Sequence, residues 1–149
     1  MAQYAQIPRN SGYIDRPCYN NSATAIPAGY CVNGEAAEVA GHGELCVELP
    51  TNGGGSALFV GVTTTEIPAY GYGNVCIHGP ALVYSHSVLV PGDVVQVYDA
   101  TSHLGEVIKH LLGSTLEAVT VVGWCMTPAA ADGDLCQVFV DKSVSTTTA

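Results

Sequence analysis

The sequence has little charge, and less positive charge still. Only 11% of its residues are Asp, Glu, Lys or Arg, and Arg9, Arg16, Lys109 and Lys142 stand alone against 13 acids. Neutralising phosphates takes clustered Lys and Arg, so a net charge of −9 argues against direct binding to nucleic acid or to an anionic membrane surface. Long apolar runs are missing too. ALFVGV and LEAVTVVGWCM are too short and too interrupted to span a bilayer. The opening MAQYAQIPRNSGYIDRP has neither a basic start nor the apolar stretch of a signal peptide, so synthesis in a cytoplasm is the expectation.

The motifs of common chemistries are also absent. No CxxC or HxxxH occurs, and no GxSxG elbow is present to expose a nucleophilic serine. GYGN has no following helix to present free N–H groups, and GGGS lacks the lysine of a phosphate-binding loop. Ser85, His86 and Ser87 alternate along a strand-like run, and Asp132 and Asp134 flank a turn glycine, where Asp is favoured for its local hydrogen bonds. His42, His86, His103 and His110 read as outward-facing side chains, with His86 also able to meet a neighbouring subunit. Nothing here positions a catalytic group, and no enzyme is expected.

What the chain does have is apolar, β-branched and turn-rich. It is 48% hydrophobic, with 17 glycines and 8 prolines among 149 residues, a composition suited to many short strands in one domain. Residues 1–24 show no sustained period and read as an extended arm that gains order by lying on a partner surface. Tyr4, Ile7, Pro8, Arg9, Tyr13, Arg16 and Tyr19 are its candidate contacts, because aromatic rings supply large area with few rotors. Residues 25–141 read as the β domain and 142–149 as a loose tail.

Within that domain HGELCVELP alternates, SALFVGVTT is apolar enough for a central strand, and PAYGYGNVCIHG, ALVYSHSVLV and GDVVQVYDA read as separate strands. A turn at Pro91-Gly92 divides the last two. SHLGEVIKHLLGSTLEAV fits either one short helix or a strand pair, since its two glycines each cost a helix about 1 kcal/mol. The fold class is therefore all-β, a small barrel or sandwich with an extended N-terminal arm and at most one short helix.

Six cysteines invite a disulfide or metal reading. Five of them, Cys31, Cys46, Cys76, Cys125 and Cys136, sit between apolar residues in strand-like runs, where cysteine behaves as a small hydrophobe. Cys76 and His78 share a strand face and are the best metal candidates; Cys125 and Cys136 approach if their strands pair. A small β-rich enzyme or metal module built on Cys76 and His78 is thus the alternative to a structural protein with no cofactor and no metal. Trp124, the single tryptophan, reads as a core or subunit-interface anchor.

One pattern occurs twice. PAYGYGNVC at 68–76 and PAAADGDLC at 128–136 share Pro, Gly and Cys at the same offsets. Each reads as a turn feeding a strand, with Gly73 or Gly133 at the position needing positive φ.

The order AIPAGYCVNG, LFVGVTTTEIPAYGYGNVCIHGPALV, LVPGDVVQVYDATSHLGEV and VVGWCMTPAAADGDLCQVFV resembles the capsid decoration, or cement, proteins of tailed bacteriophages, over roughly residues 25–141. That resemblance implies a small β-barrel-like domain, often trimeric, on the outer surface of the virion head, where it binds the major capsid protein and braces the shell.

Overall fold

The computed structural model describes residues 13–35, 45–50, 59–98, 102–110 and 121–141. Nine strands run in chain order: β1 Ile14–Asn20, β2 Cys31–Gly34, β3 Cys46–Glu48, β4 Phe59–Thr63, β5 Gly71–Tyr84, β6 Val94–Val97, β7 Val107–Lys109, β8 Val121–Cys125 and β9 Leu135–Val140. There is no helix among the described residues, so the all-β expectation holds. The ambiguous run 102–118 supplies β7, which pairs antiparallel with β6; its remainder from Leu111 lies outside the described residues.

The strands form the order β1-β3-β2-β4-β5, and an antiparallel pairing of β1 with β5 closes these five into a barrel. β5 then continues. Its second half pairs with β9, followed by β8, β6 and β7, and the parallel bridge Ser85↔Val107 brings β7 back to the end of β5. One 14-residue strand thus serves both groups. The sequence reading split this strand at Gly79-Pro80. Gly79 instead takes a φ of 108, a conformation open to glycine, and the strand bends there without ending.

β1 corrects the expected arm. Asp15 to Asn20 pair in register with Cys76 to Gly71, and Tyr19 and Asn20 pair with Cys46 and Val47 of β3. Cys18, Tyr19 and Asn20 are buried. From Ile14 onward this segment is barrel wall. Its burial pattern, four exposed residues then three buried ones, is why no period of 2 was visible. Tyr4, Ile7, Pro8 and Arg9, like the tail from Lys142, lie outside the described residues.

Valine fills both interiors. Val32, Val47, Val60 and Val75 with Cys18, Ile26 and Ile67 pack inside the first barrel. Val83, Val95, Val107, Val122, Val138 and Val140 lead the second cluster. Cys31, Val62 and Cys76 sit on strands of the first barrel yet belong to the second cluster, so the two halves share a core. Each fully buried valine contributes roughly 1.5–3 kcal/mol, and the β-branched side chain suits the pleat.

The halves repeat one another in a series of matching bonds. Gly29 N–H donates to Thr63 O and Gly92 N–H to Cys125 O, while Thr63 N–H donates to Tyr30 O and Cys125 N–H to Asp93 O. Ile26↔Ile67 and Leu89↔Ala129 are matching antiparallel bridges. Asn74 N–H donates to Thr65 Oγ1, and Gln137 N–H to Thr127 Oγ1. Asn20 and Ser85, both fully buried, each accept the N–H two residues on, from Ser22 and Ser87. The doubled sequence pattern is therefore real, but its structural register differs from the one the shared Pro, Gly and Cys suggest. Gly133 has a φ of 84 as expected, whereas its structural counterpart is Tyr70, with a φ of 51. Gly73 is instead a strand residue pressed against Ile67.

Candidate functional site

Cys76 and His78, the pair of the alternative metal reading, each meet other groups. Cys76 is fully buried, and its thiol faces the carbonyl oxygens of His78 and Gly79 at 3.4 and 3.6 Å. The His78 ring meets Phe139 edge-on at 5.3 Å, away from that thiol's environment. Cys125 and Cys136 lie on the paired strands β8 and β9, but their thiols donate to carbonyl oxygens, of Thr127 at 2.8 Å and Val83 at 3.7 Å. All six cysteines are buried. Burial pushes the Cys136 thiol up to about 12 and holds Cys31 higher still, so neither offers the thiolate that a nucleophile or metal ligand requires.

Among the proposed surface contacts, Tyr13 is half-buried and Arg16 exposed, whereas Tyr19 is buried with its ring 5.0 Å from that of Tyr72. Trp124 is half-buried on β8 and stacks on Phe139 of β9 at 4.9 Å, with an interplanar angle of 9°.

His86, read from sequence as pointing outward, turns into a cluster. It follows Ser85 at the end of β5, held there by its own N–H to Val107 O at 2.9 Å. The segment between β6 and β7 brings His103 and Glu106 to it, and the turn before β9 brings Asp132. His86 Nδ1 lies 3.0 Å from Asp132 Oδ1 and 3.6 Å from Glu106 Oε2; His103 Nδ1 lies 3.2 Å from the same Glu106 oxygen. One ligating atom from each of the four falls within 4.8 Å of the others. The His86 ring stacks on Tyr98 at 4.3 Å and also meets the His103 ring, tilted, at 4.0 Å.

The backbone fixes this geometry. Tyr98 N–H donates to Glu106 O at 2.8 Å and Gly105 N–H to Tyr98 O at 3.1 Å, folding the segment onto β6. Gly105, with a φ of 85, lets the same turn press against the first barrel, where Cys31 N–H donates to its carbonyl at 2.7 Å. A side chain there would strike Cys31 O. Ser85 N–H donates to Asp134 O, and Gly133 N–H to Ser85 O, locking the Asp132 turn to the end of β5.

Electrostatically the cluster is unfinished. Glu106 is 8% exposed, and its Oε2 is buried without a hydrogen bond of acceptable geometry, although His103 Nδ1 is close. Burial raises the Glu106 pKa, with the two histidines opposing that shift and Asp132 adding to it. Lys109, the one nearby cation from Lys or Arg among the described residues, is engaged with Asp93 at 3.0 Å. His110, also expected to face outward, is buried, and its Nδ1 lies 2.8 Å from Gln96 Oε1.

Sequence reasoning missed this cluster because it judged each histidine and aspartate separately. Positions 86, 103, 106 and 132 have no motif spacing; only His103 and Glu106, three apart, offered a local signal. Barrel closure does the rest.

No protein-family description matches this sequence, and no curated protein does. The fold has a solved counterpart: the head fiber gp8.5 N base of bacteriophage phi29 superposes with a TM-score of 0.54, over 91% of this chain and 99% of that one, at 13% sequence identity. At that identity the likeness is one of fold.

Proposed function

We propose that this protein is a structural component of a phage head, set on the outer surface of the capsid and bound to the major capsid protein. The observation that carries the reading is the near end-to-end superposition on the base of a head fiber. The physical character of the chain supports it. A brace needs a stiff body and an adhesive surface, and a closed five-strand barrel continued by a second strand group on the same long strand supplies stiffness. The side chains of Ile14, Tyr70, Tyr72, Val88, Val90 and Met126 are exposed apolar groups that a partner would cover. The acidic surface is no handicap on the outside of a shell, away from packaged DNA. Repetition over a lattice gives avidity from individually weak contacts.

Self-association belongs to the same reading. The outer face of β8 and β9, with Trp124 stacked on Phe139, is the proposed contact of a trimer, because fixed aromatic faces anchor interfaces well. Sedimentation equilibrium on the pure protein checks this: a trimer is expected, dissociated by Trp124→Ala, and a strict monomer would remove the trimer from the proposal.

The decisive experiment is co-sedimentation with purified, expanded heads. The protein is expected to travel with the heads and to raise their resistance to heat. Failure to bind with the full chain intact would sink the capsid role. Removing residues 1–12, which stops short of β1, is expected to weaken attachment while the fold survives.

A further inference from the structure

We propose that His86, His103, Glu106 and Asp132 form a site for one divalent transition-metal cation, Zn²⁺ by ligand type. Two imidazole nitrogens with one or two carboxylates are a common zinc donor set, and four such ligands suit tetrahedral coordination. In a tetrahedron with metal–ligand bonds of about 2.0–2.1 Å, neighbouring ligand atoms stand about 3.3 Å apart. The separations here, 3.0, 3.2 and 3.6 Å, bracket that value. All four ligand atoms lie within 4.8 Å of one another, so small side-chain movements would bring them onto one cation.

The second observation is the orphaned oxygen. Glu106 Oε2 is buried, faces the cluster and accepts no hydrogen bond. An unpartnered buried carboxylate oxygen is costly, and removing that cost takes a proton or a cation. The chain has only four lysines and arginines, and the one on β7, Lys109, is paired with Asp93. A divalent ion balances two carboxylates at once and leaves both imidazoles neutral, with lone pairs to donate. Ligand orientation is set in advance by Tyr98 stacked on His86 and by the backbone bonds of the 102–106 turn.

The site's position gives the ion a mechanical task. The ligands come from the end of β5, the approach to β7 and the turn before β9, which meet where Ser85↔Val107 closes the second ring. One ion there would tie three segments together at the narrowest seam. It would be a structural ion: four protein ligands leave no open position for a substrate.

The test is a titration of the full-length, chelator-stripped protein with Co²⁺ and, separately, Zn²⁺. One equivalent of Co²⁺ is expected to give the visible d–d absorption of a tetrahedral site, and Zn²⁺ to displace it and raise the melting temperature. Asp132→Asn, at a half-exposed turn position, and His103→Ala are each expected to weaken binding by at least tenfold, with the apo-protein still folded by circular dichroism. His110→Ala, outside the cluster, is expected to bind as the parent does. Two results would overturn the proposal. One is the absence of any bound equivalent, which would leave protonated imidazoles as the balance of charge. The other is binding that survives both ligand variants, or that shows thiolate-to-cobalt charge transfer, placing the ion on the cysteines.

Discussion

The two barrels are built to one plan and finished differently. In the first, β1 closes the ring through two parallel register pairs with β3 and seven antiparallel ones with β5. In the second, the end of β5 itself takes the place of β1, and one parallel bridge, Ser85↔Val107, stands where Asn20↔Val47 stands in the first. The thinner seam is the one that carries the histidine–carboxylate cluster. At the matching positions of the first barrel are Asn21, Cys46 and Ala69, which offer no such set. The contrast teaches that backbone closure and side-chain closure substitute for one another. Where hydrogen-bonded strand is short, polar side chains converge to hold the edge.

The strongest way to break the comparison is to remove the backbone seam. Deleting residues 1–20 takes away β1 and exposes the edges of β3 and β5. Calorimetry is expected to show the cooperative transition lost, whereas deleting 1–12 leaves it within a few degrees of the parent. An unchanged melt after the longer deletion would show that β1 is not part of the stable barrel.

Next in size is a pair of glycines at equivalent points. A Cβ on Gly61 would strike the Cys76 carbonyl, and one on Gly123 the Phe139 carbonyl. Gly61→Ala and Gly123→Ala are each expected to cost about 3 kcal/mol or more. Because β5 and the second core cluster join the halves, each variant should lower one common transition. Two separate transitions would mean that the barrels melt independently.

A gentler probe uses the repeated threonines. Thr65→Val and Thr127→Val each strip a hydroxyl acceptor from a strand N–H, of Asn74 and Gln137. About 1 kcal/mol each is expected in urea unfolding. A large inequality would break the equivalence of the two halves.

The smallest effect separates them by pH. Asp93 has Tyr30 as its counterpart, so this carboxylate belongs to the second barrel alone. The Val90 N–H, and then Lys109, hold its pKa below the usual carboxylate value. A group with a lowered folded pKa contributes stability above its unfolded pKa, and loses that contribution as pH falls through the folded one. The gap between parent and Asp93→Asn in urea midpoint is therefore expected to narrow as pH drops from about 6 to about 3. A gap constant across that window would show that the carboxylate charge contributes nothing.

Much of this architecture was legible because the strands are short valine-rich apolar runs and because turns need particular residues. The central strand β4, the Pro91-Gly92 turn and the positive φ of Gly133 all follow from such local chemistry. Closure was not legible. IDRPCYN is half exposed and half buried, and its partners Cys46 and Cys76 lie far along the chain, so only the three-dimensional register reveals it as barrel wall. The cluster was hidden for the same reason, since His86 and Asp132 meet only after β5 and β9 pair. Tyr70 masked the turn it makes by adopting a φ that glycine usually supplies.

The shared strand has a consequence for how such molecules grow. β9 occupies in the second barrel the place that the first half of β5 holds in the first, but it ends at Val140 where β5 bends at Gly79 and runs on. Adding a unit therefore takes no hinge and no new domain boundary. It takes an exit strand long enough to become the entry strand of the next unit, which makes the design modular: a row of barrels spliced edge to end, its length set by how many strands overrun.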